Sequence, residues 1–234
     1  IRDAGIPIEW ISLPDMRKLK DVPKGIVGFW QLNQIVKKKN VRIIHANSPP
    51  WFPIGHFVAK WNGIASAVSV QSRLEDRRVR QFFLSHADLI FTVSDSLRML
   101  VENAGVPEGK TKTIYSSVDM AWFHPRGNGL EIRAKLGIVS GDFVVGCVAN
   151  IAYYKGHDIL IRAFEKILEK IPNVHCLFVG RDDSDFAQRM KALVHGLGLT
   201  RYGHFVGFHA DTRPYIEAID LLLLASRVAG APVA

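Results

Sequence analysis

Cysteine is scarce in this sequence, with two in 234 residues, and no run approaches the roughly 18 unbroken apolar residues of a bilayer-crossing helix. Cys147 and Cys176 each sit inside an apolar run that reads as a buried strand. They are expected to be core thiols, which excludes a disulfide framework and a cysteine-ligated zinc site and suits a reducing compartment. Metal spacing is also missing. His45, His56, His157, His175, His195, His204 and His209 form no ligand-like pairs and read as structural or solvent-exposed. Asp182, Asp183 and Asp185 resemble a small metal cluster, but carboxylates there better fit the start of a helix near Phe186, where the dipole favours them. Neither a metal nor any other cofactor is expected.

Acidic residues are in the minority, and net charge is +8. Up to Pro125 there are 17 Lys and Arg against 11 Asp and Glu; after it, 13 against 11. The excess therefore lies in the first half, in Arg17-Lys18-x-Lys20, Lys37-Lys38-Lys39 and Arg73…Arg77-Arg78-x-Arg80. Its plain reading is a solvated face; its functional reading is an anionic membrane surface, which attracts polybasic segments. Nucleic acid is not expected, because the aromatic residues do not interleave with the basic ones as a stacking platform requires.

What is present is globular: 48% hydrophobic and 22% charged residues, in a length that allows one large or two small domains. The most informative stretch is 143–171. Phe143 to Ala149 is a near-continuous apolar run, as in a strand buried on both faces of a parallel sheet. After the break at Asn150 to Gly156 the period becomes helical, with Ile159, Leu160, Ala163, Phe164, Ile167, Leu168 and Ile171 on one face. Strand, loop and helix in that order put the loop at a strand's carboxyl end, where open α/β sheets bind ligands. Lys155 next to Gly156 at a helix start suggests a phosphate site.

The same alternation runs through the chain. Strands are expected at 6–12, 41–45, 65–70, 89–93, 112–115, 143–149, 174–179, 205–208 and 221–225. Helices are expected at 25–39, from the 48–53 loop to Trp61, and at 73–86, 96–103, 131–136, 157–171, 186–197 and 212–218. Residues 14–23 read as a Pro-bounded basic loop, and the Pro- and Gly-containing segment 120–141 as a connection between domains. The expected fold is α/β: two Rossmann-like domains, 1–124 and 125–234, facing each other across a cleft.

Several segments resemble the family 4 (group 1) retaining glycosyltransferases. Val148-Ala-Asn-Ile-Ala-Tyr-Tyr-Lys155-Gly156-His-Asp158 is similar to their V-G-R-L-x-x-x-K-G-x-D signature. His86-Ala-Asp to Val93-Ser94 is similar to H-A-D-x-x-x-x-V-S. Residues 113–125 resemble I-P-N-G-V-D-x-x-x-F-x-P, with Tyr115, Ser116 and Ser117 in place of Pro, Asn and Gly. Phe178-Val-Gly-Arg181 and Phe205-Val-Gly-Phe208 have the order and spacing of the donor domain, and the resemblance covers roughly residues 41–226.

The resemblance implies the two-domain GT-B fold and transfer of a sugar, with retention, from a nucleoside-diphosphate sugar to a glycan or lipid-linked acceptor, as in cell-surface polysaccharide, lipopolysaccharide or glycolipid synthesis. It implies UDP-, GDP- or ADP-sugar as donor and a cytoplasmic location, and the basic first half adds the expectation of peripheral attachment to the inner face of the plasma membrane. By position, Asn150, Lys155 and Gly156 would hold the donor diphosphate. Gly180, Arg181, Gly207, Phe208 and His209 would line the nucleotide, and Ser48 and Trp51 the acceptor side.

The chain also departs from the pattern. Asn150 stands where Arg is usual. Gln71 stands where relatives often carry a His near the reacting carbon, and an amide cannot exchange a proton near neutral pH. The Gly-rich loop of the first domain is missing, and no E-x7-E motif follows Ser226; its first Glu is expected near Ala229. Gly230 to Ala234 resembles a later strand with the intervening helix skipped. A fragment or truncated member, with both domains incomplete, is therefore expected. Two alternatives share the fold: an inactive remnant that binds a nucleotide sugar or nothing, and a nucleotide-sugar epimerase.

Overall fold

In a computed structural model of the chain, residues 5–11 and 22–227 are described. The chain divides into two compact units, Ile1–Ser116 and Ser117–Ala234. Both are α/β with all-parallel sheets.

In the first unit, α1 (Val22–Lys38) ends on Lys37 and Lys38, which complement its carboxyl-terminal dipole. Strands β1 (Ile43–Ala46), β2 (Ala65–Val70), β3 (Leu89–Thr92) and β4 (Thr111–Thr113) lie side by side in chain order. Between them come α2 (Phe52–Trp61), α3 (Asp76–Gln81) and α4 (Asp95–Asn103). Phe52, Val68, Phe82, Leu84, Ile90 and Val101 are fully buried in their core. The helix expected over 73–86 is shorter. It stops at Gln81 because Phe83 takes a left-handed backbone, φ 56°, and a separate 3-10 turn follows at Leu84–His86. Ile6 to Ile11 form no strand, and Ser12 and the basic loop up to Asp21 lie outside the described residues. A strand exists only where a neighbour completes its ladder, and among the described residues β1 pairs with β2 alone.

The His-Ala-Asp element has a structural task. The Asp88 carboxylate accepts from the backbone N–H and the hydroxyl of Ser66 (2.8 and 2.9 Å) and from Lys60 Nζ (3.2 Å), so it clamps the start of β2 beside β3. Its acidity is raised chiefly by the Ser66 N–H.

The second unit is built from β5 (Phe143–Val148), β6 (Val174–Val179), β7 (Gly203–Gly207) and β8 (Leu221–Leu222), with α5 (Gly129–Lys135), α6 (His157–Leu168), α7 (Asp185–Gly196) and α8 (Arg213–Glu217). All six residues of β6 are buried. One face of the sheet packs on α6 and α7 through Cys147, Ile161, Phe164 and Phe178; the other packs Val144, Leu177 and Val179 against Ile132, Ile138 and Ala218. The continuous apolar runs in the sequence are explained by this double burial. The sheet order is β7-β6-β5-β8. The chain moves outward from β5 to β7 and then returns to the far side of β5, which makes a topological switch point between β5 and β8.

The boundary between the units falls after Ser116, ahead of the expected 124/125, because α8 and the turn before it hold the connecting segment. Arg213 is buried, paired in a fork with Asp211 (2.8 and 2.6 Å), and donates to the Trp122 carbonyl (2.6 Å) while stacking on that indole at 3.8 Å. The Glu217 carboxylate accepts from the N–H groups of Arg126 (2.5 Å) and Asn128 (2.8 Å).

At the amino ends of the strands, His175 joins Asp142 (3.1 Å) to His204 (3.0 Å). Burial, and then the neighbouring His175, push the His204 imidazole down to about 4 from 6.5. The fold thus opposes its protonation. The unfolded chain takes up more protons between about pH 6.5 and 4, so stability is fully present above that window and falls as pH drops through it. The melting temperature of the parent is expected to fall more steeply between pH 7 and 4.5 than that of His204→Gln. His56 and His157, also lowered chiefly by burial, will leave the variant some slope. Equal slopes would show that this pair does not govern the acid response.

Candidate functional site at the switch point

The loop after β5 begins at Ala149 and runs through a 3-10 turn, Tyr153–Lys155, into Gly156 and α6. Gly156 cannot be replaced without cost for two separate reasons. Its φ is +71°, and a β-carbon there would lie 2.0 Å from the Ala225 carbonyl oxygen. Ala225 belongs to the segment after β8, which is held along β5 by the bond from Leu223 N–H to the Gly146 carbonyl (2.7 Å). The two loops that flank the switch point are therefore in backbone contact, and Lys155 stands beside that contact.

The loop after β6 joins from the other side. Gly180 approaches the β5 loop so closely that a β-carbon would sit 2.2 Å from the Ala149 carbonyl oxygen. Asn150 Oδ1 accepts from the Arg181 N–H (3.1 Å), and Gly180 N–H donates to the Gly207 carbonyl (2.9 Å). An open depression of about 530 Å³ lies here, lined by Asn150, Ala152, Tyr153, Arg181, Ser184 and Phe186. Arg181 lies 5.9 Å from the exposed Phe208 ring. His209 is pinned: Nε2 donates to the Val206 carbonyl (2.9 Å), and Nδ1 meets the Tyr215 hydroxyl (3.2 Å) under a stacked ring. It is thus a support for the β7 loop.

Of the expected site residues, the fold links Asn150, Gly180, Arg181 and Gly207 by hydrogen bonds, with Lys155 and Gly156 farther along the same β5 loop. Gln71, Ser48 and Trp51 belong to the first unit. There Gln71 Nε2 donates to Asn47 Oδ1 (2.9 Å), which ties the loops after β2 and β1 together. Ser48 flanks the 3-10 turn Pro49–Trp51, and Trp51 is partly exposed. The expected position of the first family glutamate, near Ala229, lies outside the described residues.

Two arrangements were not visible in the sequence. His157, fully buried behind Gly156, faces Cys147 Sγ at 3.7 Å, while the Ala152 backbone nears its ring without closing a hydrogen bond on Nδ1. Burial pushes the Cys147 thiol up to about 11, so this is a neutral pair and no thiolate nucleophile. Ser66 lies between His56 (3.0 Å) and Asp88, but its hydroxyl donates to the carboxylate. That order spends the proton a base would have to remove, so no nucleophile is activated there. Among the described residues no three His, Cys, Asp or Glu converge as metal ligands, and no helix is long and apolar enough to cross a membrane. Asp182 pairs with Lys191 (2.7 Å), and Ser184, not the aspartates, caps α7 by accepting from the Ala187 N–H.

Comparison with known proteins gives the family. The profile described as Glycosyltransferase Family 4 matches residues 5–122, and that of Glycosyl transferases group 1 matches 129–234. The chain belongs to the family 4 (group 1) glycosyltransferases. Within the family it is similar to spore coat protein SA of Bacillus subtilis, 28% identical over 72% of this chain and 48% of that protein. It is also similar to the alpha-monoglucosyldiacylglycerol synthase of Streptococcus pneumoniae, 24% identical over 86% of this chain and 44% of that one. Among solved structures, Anabaena Alr3699/HepE in complex with UDP-glucose superposes with a TM-score of 0.75 at 22% identity, over 87% of this chain and 58% of that one. A glycosyltransferase from Rickettsia africae gives 0.74 at 21%, over 94% and 59%. These likenesses establish the fold of two Rossmann-like domains. The chain spans about half the length of these curated relatives.

The double constraint on Gly156 yields a prediction with an internal control. Gly137 has the same sign of φ, +70°, but open space around it. Gly137→Ala is expected to cost about 1–2 kcal/mol, the left-handed penalty alone. Gly156→Ala adds the collision with Ala225 and should cost clearly more by chemical denaturation. Equal losses would mean that the β8 segment does not rest on Gly156.

Proposed function

We propose that this chain is the nucleotide-sugar-handling part of a retaining glycosyltransferase, with the donor diphosphate seated beside Lys155 at the switch point. The reading rests on one observation above all: the loops after β5 and β8 meet at Gly156 with a lysine beside the contact. In sugar transfer the bond from the anomeric carbon to the diphosphate oxygen breaks as the acceptor oxygen bonds to that carbon, and the acceptor's hydroxyl proton passes to the departing diphosphate oxygen. Negative charge grows on the departing diphosphate. A cation fixed beside it lowers the barrier by stabilising that charge. Lys155 takes this role. The nucleoside lies along the Asn150–Arg181–Gly207 loops, and the acceptor against Ser48, Trp51 and Gln71. Because the amide of Gln71 is engaged by Asn47 and carries no exchangeable acid, its task is to orient a sugar hydroxyl.

The choice between an active enzyme and a binding remnant turns on the family glutamates, and a longer reading frame that restores them favours the enzyme. For location we propose the cytoplasmic face of a membrane. The first unit exposes Ile26, Val27 and Trp30 on α1 and Trp61 at the end of α2, with Lys37 and Lys38 farther along α1. Aromatic and apolar groups beside lysines suit an anionic interface. Flotation with vesicles containing phosphatidylserine is expected to retain the protein at low salt and release it at high salt; indifference to both lipid charge and salt defeats this assignment.

The diphosphate assignment is tested on Lys155. Lys155→Ala should weaken binding of UDP, GDP or ADP, whichever the parent binds, by about ten- to a hundred-fold. Stability should change by less than about 0.5 kcal/mol. Asn150→Arg adds a cation but gives up the bond to Arg181, so a smaller gain in affinity is expected. Unchanged affinity in Lys155→Ala places the phosphates elsewhere.

A further inference from the structure

Arg227, on the segment after β8, has no part in the reading above, yet it grips the β5 loop through side chain, backbone and ring. Its Nη1 donates to the Tyr153 carbonyl (2.7 Å), and its fork closes on Asp158 at 2.8 and 2.7 Å. Its own N–H donates to the Tyr154 carbonyl (2.8 Å). The guanidinium carbon lies 4.1 Å from the centre of the Tyr153 ring. Both side chains of the pair are mostly shielded, 26% and 28% exposed.

These contacts bear on an electrostatic conflict. Asp158 lies in the first turn of α6, close to Gly156 and Lys155. Its carboxylate is held below the usual carboxylate range chiefly by Arg227, so it stands ionised at the helix start that faces Lys155. An uncompensated carboxylate there would repel a diphosphate and cancel much of the Lys155 charge. Arg227 is the group that compensates it, in the bidentate geometry that a lysine cannot reproduce.

We propose that Arg227 is a positioning residue of the diphosphate site: it neutralises Asp158 and pins the Tyr153–Lys155 turn, so that the Lys155 charge is the one a nucleoside diphosphate meets. This inference rests on the site assigned above and deepens it. It also gives the segment after β8 a function apart from any glutamate, since one arginine links that segment to the phosphate loop.

The test is titration calorimetry of the parent and its variants with UDP, GDP and ADP. Arg227→Ala is expected to lose about tenfold in affinity for the nucleotide that the parent binds best. Arg227→Lys, which keeps the charge but not the fork, should lose less. Asp158→Asn alone leaves the Arg227 charge unpaired and should not weaken binding, and Asp158→Asn combined with Arg227→Ala should recover most of the loss, because the charge needing compensation is gone. A purely structural role predicts the opposite, since the double variant has lost both halves of the bridge. If Arg227→Ala fails to fold, Arg227→Lys against the double variant still separates the two. Lys155→Ala serves as the reference. If it weakens binding while Arg227→Ala does not, this inference alone is wrong. It is equally wrong if the double variant binds no better than Arg227→Ala. If Lys155→Ala binds as the parent does, or the parent binds none of the three nucleotides, the site itself is wrong and this inference falls with it.

Discussion

The backbone contact between Gly156 and Ala225 organises the second unit. A glycine is required there by the left-handed turn and again by the carbonyl packed against it. Removing the side chain at one position lets two loops approach that are far apart in sequence. Once they meet, β8 lies parallel beside β5, the order in which strands are added reverses, and the carboxyl end of β5 becomes the base of a crevice. Tyr153 and Asp158, on either side of that contact, are held in turn by Arg227 from the segment after β8.

The rest of the unit supplies rigidity around this point. Gly146 in mid-strand leaves no room for a β-carbon, because Ile219 occupies that space, so the approach to β8 is packed as closely below the loop as above it. β6 is buried along its whole length. On the outer side, Glu217 and Arg213 bind the chain that enters the unit. Their contacts are charge-assisted hydrogen bonds to backbone groups, stronger than neutral ones, and they leave the entering segment few alternative paths.

Polar chemistry in the first unit is mostly structural. Asp88 binds the start of β2, and Gln71 binds the loop after β1. The surface of that unit is where its distinctive features lie: lysines in the last turn of α1 and exposed tryptophans on α1 and α2.

Period and composition were enough to read most of the architecture from the sequence. The apolar run at 143–149, the helical stripe from Ile159 and the glycine after Lys155 express local rules of burial and turn geometry, which act between near neighbours in the chain. They located β5, the loop and α6, and the motif order pointed to the family. Other features depend on partners distant in sequence. No local signal says that Arg227 will reach Asp158, that Arg213 will take the Trp122 carbonyl and so move the domain boundary, or that His175 and His204 will touch. A side chain's partner across a sheet is chosen by strand order, and strand order is chosen by which packing buries both faces of the whole sheet. The sequence by itself determined the elements, the loop that carries Lys155 and the family to which they belong. The order β7-β6-β5-β8, the seat of Ala225 on Gly156 and the bridge from Arg227 were decided only by the tertiary structure, because each requires two distant segments to be in place at once.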